Sequence, residues 1–223
     1  MLHFIIALTI LFSAACATTS SHRGSRAPYP GSVLARPSLN VLPELDVRYT
    51  SLSEESQQAW TSAEALFDID APLLPERRDA ASLNAWSASH FRVWMQQKLS
   101  MLDVARQDFD VAGAKSQRER IVAAAIVALM YEEVGRTIVS IPVPDELSSQ
   151  PKARTNYRQA IYAEARPYLS YAQRAYDACA QNAEFFSPMT HWSGFCAGRA
   201  KRLHQRASKA DSSTSAQHHH AMK

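Results

Sequence analysis

Ile121-Val122-Ala123-Ala124-Ala125-Ile126-Val127-Ala128-Leu129-Met130 is an unbroken apolar run. It shows no alternation with a period of two, as a half-buried strand would. Ser116 and Glu119 ahead of it have capping-box spacing, and Pro142 and Pro144 behind it stop a helix. The segment therefore reads as a helix from about Gln117 to Ser140. It is too short to span a bilayer, which takes about 20 residues, and charges stand at both ends. A helix apolar on every side belongs at the centre of a bundle. Six glycines in 223 residues point the same way, because all-β folds spend glycine on turns. The fold class is all-α.

Helical patterns continue outward in both directions. Toward the N-terminus, Ser51 and Glu54 form a second candidate capping box, before Trp60, Ala63, Leu66 and Phe67. Pro72 and Pro75 end that run. A long helix is predicted from about Arg78 to Val111. Phe91, Met95, Leu99, Leu102, Ala105 and Phe109 recur there at steps of three and four, flanked by Trp86 and Trp94, and Gly113 closes it. Toward the C-terminus, Tyr157, Ile161, Ala165, Tyr168, Ala172, Tyr176 and Cys179 share one face. Pro167 predicts a kink or break near Ala165. Ser187-Pro188 is a start signal for a last helix to about Ala207, with Trp192, Cys196 and Leu203 on one stripe. The pattern predicts antiparallel helical hairpins or a bundle over residues 46–209.

The termini read differently. Leu2 to Phe12 is nearly all apolar and leads into Ser13-Ala14-Ala15-Cys16. This has the form of an export signal peptide over 1–15, with Cys16 placed for lipidation as in a bacterial lipobox. Ser13 stands where that motif usually has Leu, and the n-region lacks Lys and Arg. Ordinary cleavage near Ala15 or Ala17, giving a soluble periplasmic chain, is the alternative. Residues 16–45 are rich in Ser, Arg, Gly and Pro and read as a lipid-anchored flexible tether. Residues 210–223 read as a disordered tail. The expected address is the outer membrane, facing the periplasm. In that oxidising space Cys179 and Cys196, seventeen residues apart, are expected to form a disulfide; two buried thiols are the alternative.

A formal charge of +3 is too mild to imply a nucleic-acid partner. No His-Glu-x-x-His, Gly-x-Ser-x-Gly or phosphate-binding glycine loop occurs, so no catalytic residue, metal ligand or cofactor is expected. His22, His90, His191 and His204 are isolated, and His218 to His220 form a polar tail. Glu132 and Glu133 interrupt the most apolar helix. A carboxylate there is either an acid of raised pKa or one half of an i,i+4 pair with Arg136, and the ion pair is the expectation. Arg199, Lys201, Arg202 and Arg206, with Lys209, make a candidate interaction surface; their other reading is a helix end whose cations complement the dipole.

Gly135-Arg136-Thr137, Ile141-Pro142-Val143-Pro144, Tyr157, Arg166-Pro167-Tyr168-Leu169, Ala172 to Tyr176, Trp192 and Arg199 to Leu203 occur in that order. Over about residues 120–207 the chain thereby resembles the C-terminal part of tetratricopeptide-type (TPR-like) helical envelope proteins of gliding, predatory and related diderm bacteria. The resemblance implies α-hairpins and a scaffolding role, and it carries no catalytic residues. No 34-residue repeat accompanies it. The expected function is that of a non-enzymatic envelope lipoprotein, held by a lipid anchor and binding another envelope protein. The alternatives are a small-ligand binder with a pocket between Trp86, Trp94 and Tyr131, and a cell-wall-acting enzyme.

Overall fold

The computed structural model describes residues 39–220, and every regular element among them is helical. The leader, Cys16 and the tether up to residue 38 lie outside the described residues. The helices are α1 (Glu54–Phe67), α2 (Ala80–Trp86), α3 (Arg92–Gly113), α4 (Gln117–Val139), α5 (Pro151–Glu184) and α6 (Thr190–His220).

Local chemistry starts and stops them. α1 is capped by Ser53, two residues later than the Ser51 of the expected box; its hydroxyl accepts from Ser56 N–H at 3.2 Å. The reciprocal arm comes from another helix, because Glu119 Oε1 of α4 accepts from Ser53 N–H at 2.7 Å. Ser116 caps α4 as expected, accepting from Glu119 N–H at 3.2 Å. Asp79 caps α2 through Ser82 N–H at 2.8 Å. A single π turn, Ser87–Phe91, joins α2 to α3 in line. The predicted long helix is thus one rod with a local bulge.

Two expectations about helix ends are corrected. Pro167 does not break α5, which runs unbroken for 34 residues. Pro167 and Ala163, whose carbonyl loses its intrahelical donor, are both exposed, so the freed carbonyl stands on the solvent side and the apolar face is untouched. α6, expected to end near Ala207, runs to His220; beyond Gly198 the segment contains no Gly or Pro to stop it. Leu39, Leu42 and Leu45 pack on the core as a strap, and Asp46 binds Arg118 of α4 at 2.7 and 2.8 Å.

Successive long helices run antiparallel. Gln117, Tyr131 and Gly135 of α4 meet Asn182, Tyr171 and Leu169 of α5, so one numbering rises as the other falls. Lys98 of α3 meets Glu133 of α4 and Leu66 of α1, while Asp108 meets Ser62. α4 is therefore shared by two groups, α1–α3–α4 and α4–α5–α6. Its Ile121, Ala125, Ile126, Ala128, Leu129 and Met130 are all fully buried, which is why that stretch is apolar all round.

Candidate functional site

Adjacent residues on a helix point about 100° apart. Glu132 and Glu133 on α4 consequently look into the two different helix groups. Both are buried, and a buried charge is tolerated only with a partner.

Glu133 faces α3. Its Oε2 accepts from Lys98 Nζ at 3.0 Å, and the Lys98 side chain is 0 % exposed. Lys98 Nζ also donates to the Leu66 carbonyl in the last turn of α1, where a cation complements the helix dipole. The rings of Phe67 and Trp94 each lie 5.9 Å from the ammonium. One lysine thus ties the end of α1 to the middle of α4, between two aromatic faces that favour a cation.

Glu132 faces α5 and α6. Its Oε2 accepts from Tyr176 Oη at 2.8 Å and from Arg199 Nη1 at 3.0 Å. Arg136 Nη1, the expected i,i+4 partner, stands at 3.7 Å from Oε1, so Tyr176 and Arg199 make the closer contacts. Burial, and then the negative Glu132 beside it, hold the Tyr176 hydroxyl well above the ordinary phenol range, so Tyr176 stays a donor. Arg199 lies over the Phe195 ring at 5.3 Å. Its Nε is buried with no hydrogen-bond partner among the described residues.

Just beside this network Cys179 and Cys196 form a disulfide between α5 and α6, with Cα atoms 6.0 Å apart and both residues fully buried. Closing seventeen residues contributes about 3 kcal/mol on the chain-entropy account. Tyr176 lies one turn before Cys179 and Arg199 one turn after Cys196, so the bond fixes the heights of both groups that hold Glu132.

The remaining candidates separate in space. Lys201, Arg202 and Arg206 are exposed on α6, while Arg199 of the same cluster turns inward to Glu132. Trp86, Phe91 and Trp94 form a ladder with centroids 5.2 and 5.5 Å apart, and Trp86 Nε1 donates to the Leu73 carbonyl at 2.8 Å. Tyr131 instead stacks on Tyr171 at 4.1 Å across the α4–α5 seam; burial and the neighbouring Tyr171 push its pKa up to about 12. Trp86 and Trp94 thus take Phe91 as their ring partner, and Tyr131 takes Tyr171. The space beside Trp86 and Phe91 is about 50 Å³, room for a water or two rather than a ligand of ordinary size. His90 is exposed on the π turn, its Nδ1 2.9 Å from Ser89 Oγ. His191 Nε2 and Trp192 Nε1 lie 3.0 and 3.1 Å from the Glu44 carbonyl of the strap. Among the described residues no three His, Cys, Asp or Glu side chains cluster to hold a metal.

Lys98 was not singled out from the sequence, although a signal existed. It falls four residues after Trp94 and four before Leu102, inside the apolar stripe of α3. Arg199 carries the same mark, three residues after Cys196. No family model matches the chain, and no curated protein or solved structure matches it either.

Proposed function

We propose that the chain is a non-enzymatic envelope lipoprotein whose helical domain is a protein-interaction scaffold. The leader exports it, Cys16 carries the lipid, and the domain faces the periplasm from the outer membrane. The observation that carries the reading is the state of the two glutamates. Each carboxylate placed for acid–base chemistry is engaged by a cation, Glu133 by the buried Lys98 and Glu132 by Arg199, and Glu132 by a tyrosine as well. Such pairs hold helices in register. The buried disulfide supports an oxidising destination. The antiparallel pairs α3–α4 and α5–α6 support a TPR-like hairpin arrangement, in which exposed helix faces serve as binding surface.

Mass spectrometry of the native protein, after fractionation of the envelope and mild crosslinking, tests this. A diacylated Cys16 at the mature N-terminus, outer-membrane partition and a reproducible crosslinked protein are the expected results. A chain retaining Met1, with Cys179 and Cys196 open to alkylation, would sink the reading.

A further inference from the structure

The modest overall charge conceals a strong separation. Residues 39–113 hold twelve Asp and Glu against six Lys and Arg, whereas residues 151–206 hold nine Lys and Arg against three carboxylates. α3 and α5 pack on different sides of α4, since Glu133 meets α3 while Glu132, Tyr131 and Gly135 meet α5. The folded domain is an electric dipole, acidic over α1–α3 and basic over α5–α6.

Each half also presents an outward helix face. On α3, Val93, Val104 and Val111 fall on one line, and they are 49, 54 and 54 % exposed. β-branched residues are poor choices for a wet helix face, where they add neither solubility nor helix propensity. Between them stand the uncharged Gln97, Ser100 and Gln107, and beside them the exposed Asp103 and Asp110; Asp110 also reaches Arg106 at 3.3 Å. On α6 the outward line is Gly194, Ala197, Lys201 and Gln205, all exposed. A Cβ added to Gly194 would meet nothing within 4 Å, so this face is shallow and open. Arg202 and Arg206 flank it, exposed.

The geometry points to a contact between two copies of this chain. The valine line of α3 in one copy runs along the outward line of α6 from Gly194 to Gln205 in the other, with Asp103 and Asp110 facing Arg202 and Arg206. Charge complementarity selects this occupant. An anionic lipid surface would satisfy the basic half alone and leave the valines wet; a second copy covers both. One such contact leaves an acidic face free on one copy and a basic face on the other, so association continues beyond a pair unless it closes on itself. The inference rests on the reading of the domain as an interaction module and names its partner.

Sedimentation velocity of the full chain in mild non-ionic detergent tests it. Species larger than the monomer are expected at about 20 mM salt, with Kd rising about tenfold or more by about 500 mM as the charges are screened. Asp103→Arg with Asp110→Arg should give monomers, and so should Arg202→Glu with Arg206→Glu. Mixing the two variants restores one native and one reversed contact and should restore assembly, which a folding defect would not do. A wild-type chain monomeric at low salt overturns the proposal. So does a mixture that stays monomeric, or wild-type binding to phosphatidylglycerol vesicles without self-association. A monomer that still captures a foreign envelope protein would sink the self-contact and leave the interaction-module reading in place.

Discussion

Glu132→Gln is the sharpest probe of what holds the α4–α5–α6 group together. The substitution keeps the shape and one acceptor oxygen for Tyr176, and it removes the charge that faces Arg199 at 3.0 Å. Breaking a buried ion pair by removing one partner costs about 3–5 kcal/mol. Arg199 retains 14 % side-chain exposure and the glutamine still accepts one bond, so the expected cost is lower, about 2–3 kcal/mol. For a domain of this size that lowers Tm by roughly 5–10 °C. Arg199→Met should cost a similar amount, because Glu132 is only 7 % exposed and would keep Tyr176 and the more distant Arg136. The double variant should be more stable than the sum of the two losses by about 1–3 kcal/mol. Urea unfolding followed by far-UV circular dichroism, with the disulfide intact, measures all four corners. Additivity within about 0.5 kcal/mol would refute the argument, since uncoupled residues do not hold one another.

Other consequences are smaller or more local. Gly135→Ala would place a Cβ 2.5 Å from Leu169 Cδ2 and 3.3 Å from Leu169 N; a net loss of about 1–2 kcal/mol is expected in chemical denaturation despite a helix-propensity gain near 1 kcal/mol. Leu169→Ala added to it should cost less than Leu169→Ala in the wild-type chain. Cys179→Ala with Cys196→Ala should destabilise by about 3 kcal/mol in the same assay, and in the intact protein the fully buried bond should resist reductant until urea opens α5 from α6. The strap is acid-sensitive. The Arg118 guanidinium holds the Asp46 carboxyl below the usual carboxylate range, and, although burial opposes it, the bonds from Ser53 lower Glu119 as well. Both carboxylates bind protons more weakly folded than unfolded, so their contribution is complete above the unfolded pKa and disappears as pH falls through the folded pKa. Urea midpoints between about pH 6 and pH 3 should decline less steeply in Glu119→Gln.

Helices, and the centrality of α4, were legible because they depend on periodicity. An apolar run with no polar face has only one place to go, and Ser116, Gly113 and the flanking prolines act within a few residues of themselves. The distance between Cys179 and Cys196 was legible for the same reason: a short turn between two helices brings matching heights together.

What the linear pattern could not carry was direction and partnership across helices. Whether Arg199 points to water or to Glu132 depends on how far α6 is rotated against α4, and a rotation of one residue, about 100°, would exchange it with Ala200. The same holds for Lys98, whose partners Leu66 and Glu133 lie 32 and 35 residues away. Pro167 was read from its local cost, yet its carbonyl partner lies on the solvent side and the packed face of α5 carries the helix past it. By itself, then, the sequence determined that the described chain is a set of helices around one member whose middle is apolar on every side, because helix formation and burial are set by spacing along the chain. Only the tertiary structure decided which charges meet inside and which faces remain outside, because those depend on the rotation and offset of helices whose contacts are far apart in sequence.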